Sequence, residues 1–252
     1  KTRTGFAIAA LLLTRGIVNR PGDLDQTVDG DSDDAAGVDG RGAPKTFKTR
    51  QHWTLKEALA TRSLWLLIVL FLAAVLPLYI LMVHGVLHLT DLRYERMEAA
   101  SVLSFMLAGS AFARFPLGWL GDQIEPRLIL TVLNIAAILA MVLIWRAPNV
   151  GLLLLAGVLY GAAYGGAIVL LPTLIANYYG AASFASINGF IFPVQIIFAS
   201  VAPVAAGYLA DQVGNYDLAF MTVIAFLAVA VFCALIATPP QKAVQNSALP
   251  AD

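Results

Sequence analysis

An all-α membrane protein, six transmembrane helices arranged as two inverted three-helix repeats, is the fold this sequence predicts, and three observations predict it. Of its 252 residues 59% are hydrophobic and only 13% charged, with a mean hydropathy of +0.77. Soluble domains carry about 25% charged residues, so this chain has too little polar surface to cover a water-soluble fold and calls for lipid as solvent. Second, six apolar runs are each long enough to span a bilayer. Third, Gly118-Trp119-Leu120-Gly121-Asp122 at the end of the second run is echoed by Gly207-Tyr208-Leu209-Ala210-Asp211 at the end of the fifth, 89 residues later. That interval is one three-helix unit, and because three is odd the two copies face opposite sides of the membrane.

In chain order, a short apolar stretch at 5–13 comes first. It is too short to span, and the chain opens on Lys1 with no signal peptide before it. Residues 1–20 are therefore expected to be the end of a preceding helix in a longer protein. Residues 21–63 read as a disordered linker. Seven aspartates between Asp23 and Asp39 are followed by Arg41, Lys45, Lys48 and Arg50, with almost no large apolar side chain to bury. The acidic run lacks the terminal Glu of a calcium loop, so it is expected to be solvated. Near 54–62 the linker ends in a short amphipathic helix at the membrane surface. Thr54-Leu55-Lys56-Glu57 has the spacing of a capping box, in which the hydroxyl and the carboxylate each satisfy a backbone amide of the other's residue.

The six spans are expected at 64–88, 99–117, 128–145, 150–175, 187–209 and 218–237, with a tail from 239 to 252. Spans three and six are nearly plain. The others are interrupted by Gly, Pro and polar residues: Pro77 and Gly85; Gly109 and Pro116; Gly157, Gly161, Gly165, Gly166 and Pro172; Pro193 and Pro203. Such residues bend helices and let them pack closely. The third helix of each unit is therefore expected to face lipid, and the other two to line the interior.

Lys and Arg set the orientation. Arg15, Arg20, Arg41, Lys45, Lys48, Arg50, Lys56, Arg62, Arg127 and Lys242 fall on one side, against Arg93, Arg96 and Arg146 on the other. The linker and the tail are expected to be cytoplasmic. Net charge is zero, which points to no nucleic-acid partner. The lone Cys233 allows no disulfide framework. No metalloprotease, nucleophile-elbow or phosphate-loop motif is present, so no enzyme activity and no cofactor are expected.

Gly118-x-Leu120-Gly121-Asp122 followed by Arg127 resembles the signature loop of the major facilitator superfamily, in its copy between helices eight and nine. Asn19-Arg20-Pro21-Gly22-Asp23 with Val28-Asp29-Gly30-Asp31 resembles the opening of the central loop in bacterial members. Phe112-Ala113-Arg114 before Pro116-Leu117-Gly118 resembles helix eight of monocarboxylate transporters. By these motifs the chain resembles oxalate/formate antiporters and monocarboxylate transporters. The resemblance implies that the six spans are helices seven to twelve and that the partner is an N-terminal six-helix half. It also implies a bacterial inner-membrane location and alternating-access transport of a small organic anion such as a monocarboxylate, with a proton as a possible co-substrate. Two departures bear against a dicarboxylate and against the usual proton route. Ser110 stands where monocarboxylate transporters have an acidic residue, and helix eleven carries Gln195 but no lysine. A drug or sugar transporter, or a non-transporting scaffold or receptor subunit, are the alternatives.

Arg114 is the foremost substrate-binding candidate. A charge within a span costs about 2.5–3.5 kcal/mol on insertion scales, and its guanidinium can hold a carboxylate through two hydrogen bonds; the competing role is snorkelling to the cytoplasmic face. Ser110, His84, Tyr160, Tyr164 and Gln195 are the further candidates for the cavity. His84 and His88 share a helix face, but no carboxylate or Cys accompanies them, so no metal is expected. By resemblance, Gly118, Gly121, Asp122 and Arg127 form a conformational switch in which Asp122 caps or pairs with neighbouring helix ends. Tyr178 and Tyr179 are expected in an interfacial aromatic belt.

Overall fold

A computed structural model describes residues 46–49 and 51–242 of the chain. The expected helix end within 1–20, the acidic linker up to residue 45 and the end of the tail lie outside the described residues. Among the described residues all regular structure is helical. Helix α1 is Leu55–Leu59, followed by α2 (Arg62–Asp91), α3 (Arg96–Gln123), α4 (Pro126–Arg146), α5 (Val150–Tyr179), α6 (Ala181–Val213) and α7 (Asp217–Ile236). The last six are each long and apolar enough to cross a membrane.

Local chemistry sets most of the ends. The capping box starts α1: the Glu57 amide donates to Thr54 Oγ1 at 3.3 Å, and the Thr54 amide donates to Glu57 Oε2 at 2.7 Å. The surface helix is shorter than expected, because Thr61 starts α2 by accepting from the Leu64 amide. Pro126 occupies the first turn of α4, where a missing N–H costs nothing. Gly180 (φ +84°) separates α5 from α6, and Gly214 (φ +79°) closes α6, both in a region that L side chains rarely enter.

The helices pack as the inverted repeat requires. When α2, α3 and α4 are exchanged with α5, α6 and α7, every helix pair in substantial contact maps onto another pair in contact. The central helices are α2 and α5. On α4, Leu128, Val132, Ile135 and Leu139 form an exposed apolar stripe; on α7, Met221, Val229 and Phe232 are similarly exposed. Both helices present exposed apolar side chains, in keeping with their plain sequences.

The second helix of each unit, α3 and α6, flanks the six-helix bundle, and these two are the least covered of the six. Each packs chiefly along one side, and its other side is largely uncovered by the described residues. On α3 that open side carries Phe112 (82% exposed) and Phe115 (90% exposed).

The contact between α3 and α5 is very close. Cβ atoms built at Gly157, Gly161 and Gly165 fall 2.6, 2.0 and 2.3 Å from the carbonyl oxygens of Val102, Met106 and Ser110. Both sets are spaced by four residues, so one glycine face of α5 lies directly on the backbone of α3. The symmetry-related pair, α2 with α6, is looser. A Cβ at Gly207 meets the His84 side chain at 3.2 Å rather than backbone.

Candidate substrate cavity

A cavity of about 340 Å³ opens between α2, α5 and α6. It places Tyr164 and Gln195 together, as the sequence predicts, and adds Tyr79 and Asn188. The two added residues are polar groups at membrane depth, and Asn188 stands two turns before Gln195 on α6. That spacing was the available sequence signal. The rest of the wall is apolar, with Phe71, Val75, Ile168 and Phe192 among its members.

Arg114 lies on α3 about 7 Å from the helix midpoint, at 1.5 Å per residue. Its side chain is exposed, and Nη2 makes a long 3.4 Å contact to Oγ of Ser110, which is 2% exposed. Across the glycine seam the Ser110 backbone lies against Gly165, the chain neighbour of Tyr164. Arg114 and Ser110 are in contact on α3, and Tyr164 lines the cavity from α5.

Tyr160 and His84 are placed elsewhere. Tyr160 is 1% exposed and donates its hydroxyl to the Ala74 carbonyl at 3.2 Å, in the turn of α2 disturbed by Pro77. His84 lies toward the other end of α2, with Nε2 2.8 Å from the Pro203 carbonyl and Nδ1 3.1 Å from the Tyr216 hydroxyl. A carbonyl only accepts, so Nε2 carries the proton, and in the neutral ring Nδ1 accepts from Tyr216. Both nitrogens are occupied in joining α2 to α6 and to the turn before α7. His88, 6% exposed, packs on the Phe220 ring at 4.5 Å.

The expected switch residues occupy the cytoplasmic-predicted end of the bundle. Gly118 and Gly121 lie in the last turns of α3, where Cβ atoms would approach Val169 to 3.2 Å and Leu170 to 2.5 Å. Asp122 is exposed and makes no ion pair or hydrogen bond with another described residue. Arg127 instead donates from Nη1 to the Ala237 carbonyl at 3.3 Å, just past α7. Tyr178 donates to the same carbonyl at 3.0 Å. Glu125, which the sequence did not single out, accepts from the Tyr178 hydroxyl and the Phe47 amide, each at 3.4 Å.

Tyr178 and Tyr179 are therefore not an interfacial belt. Both are 0% exposed, and Tyr179 shares a 2.6 Å hydrogen bond with Thr61. They are covered because the segment before α1 crosses over them. The Thr49 amide donates to the Asn177 carbonyl at 2.8 Å, and Ser183 Oγ accepts from the Trp53 amide at 3.3 Å and donates to the Trp53 carbonyl. Lys242 completes this clasp with a 2.9 Å ion pair to Glu57 and a hydrogen bond to the His52 carbonyl. The Thr54 amide and, next, Lys242 hold the Glu57 carboxyl well below its usual value, at about 2.

The sequence matches the family described as Major Facilitator Superfamily over residues 4–191 and, in a second placement, over 86–251. The chain belongs to the Major Facilitator Superfamily. This major facilitator chain is 32% identical over 151 residues to Monocarboxylate transporter 13 of Bos taurus, a match covering 58% of the chain and 34% of that protein. It is 28% identical over 149 residues to Monocarboxylate transporter 13 of Rattus norvegicus, with the same coverage. The match spans about a third of the length of these curated relatives. Membership and the six apolar helices make the chain part of an integral membrane protein of a transporter superfamily.

Proposed function

We propose that this chain is the C-terminal half of a secondary transporter that carries a small organic anion by alternating access, with Arg114 holding the anionic group. The observation that carries this proposal is the placement of Arg114: a guanidinium well inside a span, on the open side of α3, in contact with Ser110 at the seam with α5. An anion leaving water for a low-dielectric site needs a compensating charge, and an arginine does not lose its proton to avoid the cost. The printed names of the relatives agree with a monocarboxylate as cargo. The open faces of α3 and α6 are the surfaces on which a second six-helix half would close the path, and a proton is the proposed co-substrate. Tyr160 and His84 support the site by fixing α2 against α5 and α6, while Gly118, Gly121, Asp122 and Arg127 act at the switch end.

The test is uptake in proteoliposomes of a labelled three-carbon monocarboxylate by this chain joined to a complementary six-helix half. Saturable uptake, competed by other monocarboxylates and not by sugars, is the expected result. The six-helix chain alone is expected to show none, because half of the path is missing. Saturable uptake by monomeric chain alone overturns the half-transporter proposal.

The linker and the tail are proposed to be cytoplasmic, following the basic bias; their attachment to each other through Glu57 and Lys242 supports a common side. A cysteine in place of Gly37 is expected to react with an impermeant thiol reagent in inside-out vesicles only. Labelling from outside whole cells reverses the topology.

A further inference from the structure

The cavity between α2, α5 and α6 contains four polar side chains that hydrogen-bond to no other described residue: Tyr79, Tyr164, Asn188 and Gln195. Buried and half-buried tyrosines elsewhere in the bundle are all engaged. Tyr94, Tyr160 and Tyr178 donate to backbone carbonyls, Tyr179 pairs with Thr61, and Tyr216 with His84. Unpaired amides and phenols at membrane depth are costly unless they face water or a ligand. Tyr79, Tyr164 and Gln195 also lie at similar depth, about 21–26 Å from the switch-side ends of their helices at 1.5 Å per residue.

The remaining wall is apolar, and no charged residue lines it. Arg114 is brought toward it by the helix seam: it contacts Ser110, whose backbone lies against Gly165, next in the chain to Tyr164. A volume of about 340 Å³ exceeds the ~150 Å³ of a dry cavity that holds benzene. A two- or three-carbon acid bound at Arg114 would leave most of this wall unfilled, whereas a ring-sized body would fill it and place a polar substituent near Tyr79 and Gln195.

Resting on the anion-transport proposal above, we propose that this cavity is a subsite for the apolar body of the cargo, so that the preferred substrate is a monocarboxylate bearing an aromatic-sized ring. Its carboxylate lies toward Arg114 and Tyr164, and its ring lies against Ile168 and Phe192. A single guanidinium compensates a single carboxylate, which disfavours a second charge on the ring.

The experiment is competition for labelled lactate uptake by the completed transporter, with acetate and benzoate as competitors. Benzoate is expected to half-inhibit at a concentration roughly tenfold or more below that of acetate, the scale of a few apolar groups filling a pocket. Ile168→Trp, which fills the cavity, is expected to erase that difference by weakening benzoate far more than acetate. Phe192→Ala, which removes a wall without adding bulk, is expected to reduce the difference and serves if the tryptophan variant does not fold. Equal potency of the two acids in the unmodified protein, or a preference unchanged in both variants, overturns the ring subsite while leaving anion transport standing. Absence of uptake and of inhibition by any carboxylate overturns both.

Discussion

Arg114→Ala in the completed transporter is expected to abolish uptake of the anionic substrate while leaving membrane insertion and yield intact. The side chain is exposed and makes one long contact, to the buried Ser110 Oγ at 3.4 Å, so its removal frees a single hydroxyl, which can turn to the helix carbonyl one turn earlier. Its electrostatic role is different. Within the path a carboxylate loses most of its hydration, and a charge-assisted pair is the main compensation available. Losing a buried charge partner costs about 3–5 kcal/mol in comparable settings, which is roughly a thousandfold in affinity. Arg114→Lys is expected to recover part of the uptake, because an ammonium supplies the charge without the planar pair of donors. Concentration-dependent uptake in proteoliposomes separates the outcomes. An alanine variant with unchanged affinity and rate means that Arg114 only reaches for the membrane surface, and the organic-anion proposal loses its support.

Gly161→Ala is expected to have the largest effect on folding. A methyl group there falls 2.0 Å from the Met106 carbonyl oxygen and 2.8 Å from its carbon. The obstacle is backbone, which cannot rotate away, so α3 and α5 must separate along the whole seam. Overpacking of ordinary cores costs about 1–3 kcal/mol, and a clash with backbone lies at or above the top of that range. Gly189→Ala on α6 is the matched control, since its added methyl meets nothing within 4 Å; helix propensity alone favours it by up to about 1 kcal/mol. Thermal melting of the detergent-solubilised protein is expected to drop sharply for Gly161→Ala and to hold or rise for Gly189→Ala. Equal melting temperatures would mean that the two helices do not touch as described.

What the sequence disclosed follows from what is local. Span lengths, the Thr54–Glu57 box, Pro126 at a helix start and the plain character of α4 and α7 depend on residues close in the chain, and each was readable. Long-range partners were not. His84 is a polar residue facing inward, which reads as cavity lining; its seat between Tyr216 and Pro203 depends on residues 132 and 119 positions away. Tyr178 and Tyr179 end a span, where aromatic residues usually meet lipid headgroups. They are buried here because residues 46–49 and 51–53, in a stretch whose composition looks like linker, cross over them. The glycines of α5 announced a close contact but not its partner, and so not that Arg114 would be carried up to Tyr164. Asp122 fits the family motif, yet it is Glu125 and Arg127 that make contacts among the described residues.

The unequal seams have a mechanical consequence. Backbone laid on backbone leaves α3 and α5 no play, so they behave as a single plate, and the backbones that carry Arg114 and Tyr164 keep a fixed spacing however that plate tilts. The α2–α6 pair meets at Gly207 through the His84 side chain rather than through backbone, and carries Pro77, Pro193 and Pro203. Side chains can change rotamer at little cost, whereas carbonyl groups pressed against glycine cannot. Compliance is therefore concentrated in one wall of the cavity. The stiff wall holds Tyr164 and Ile168, and the yielding wall holds Tyr79, Phe192 and Gln195, so the width of the opening is set by one leaf moving against a fixed jamb.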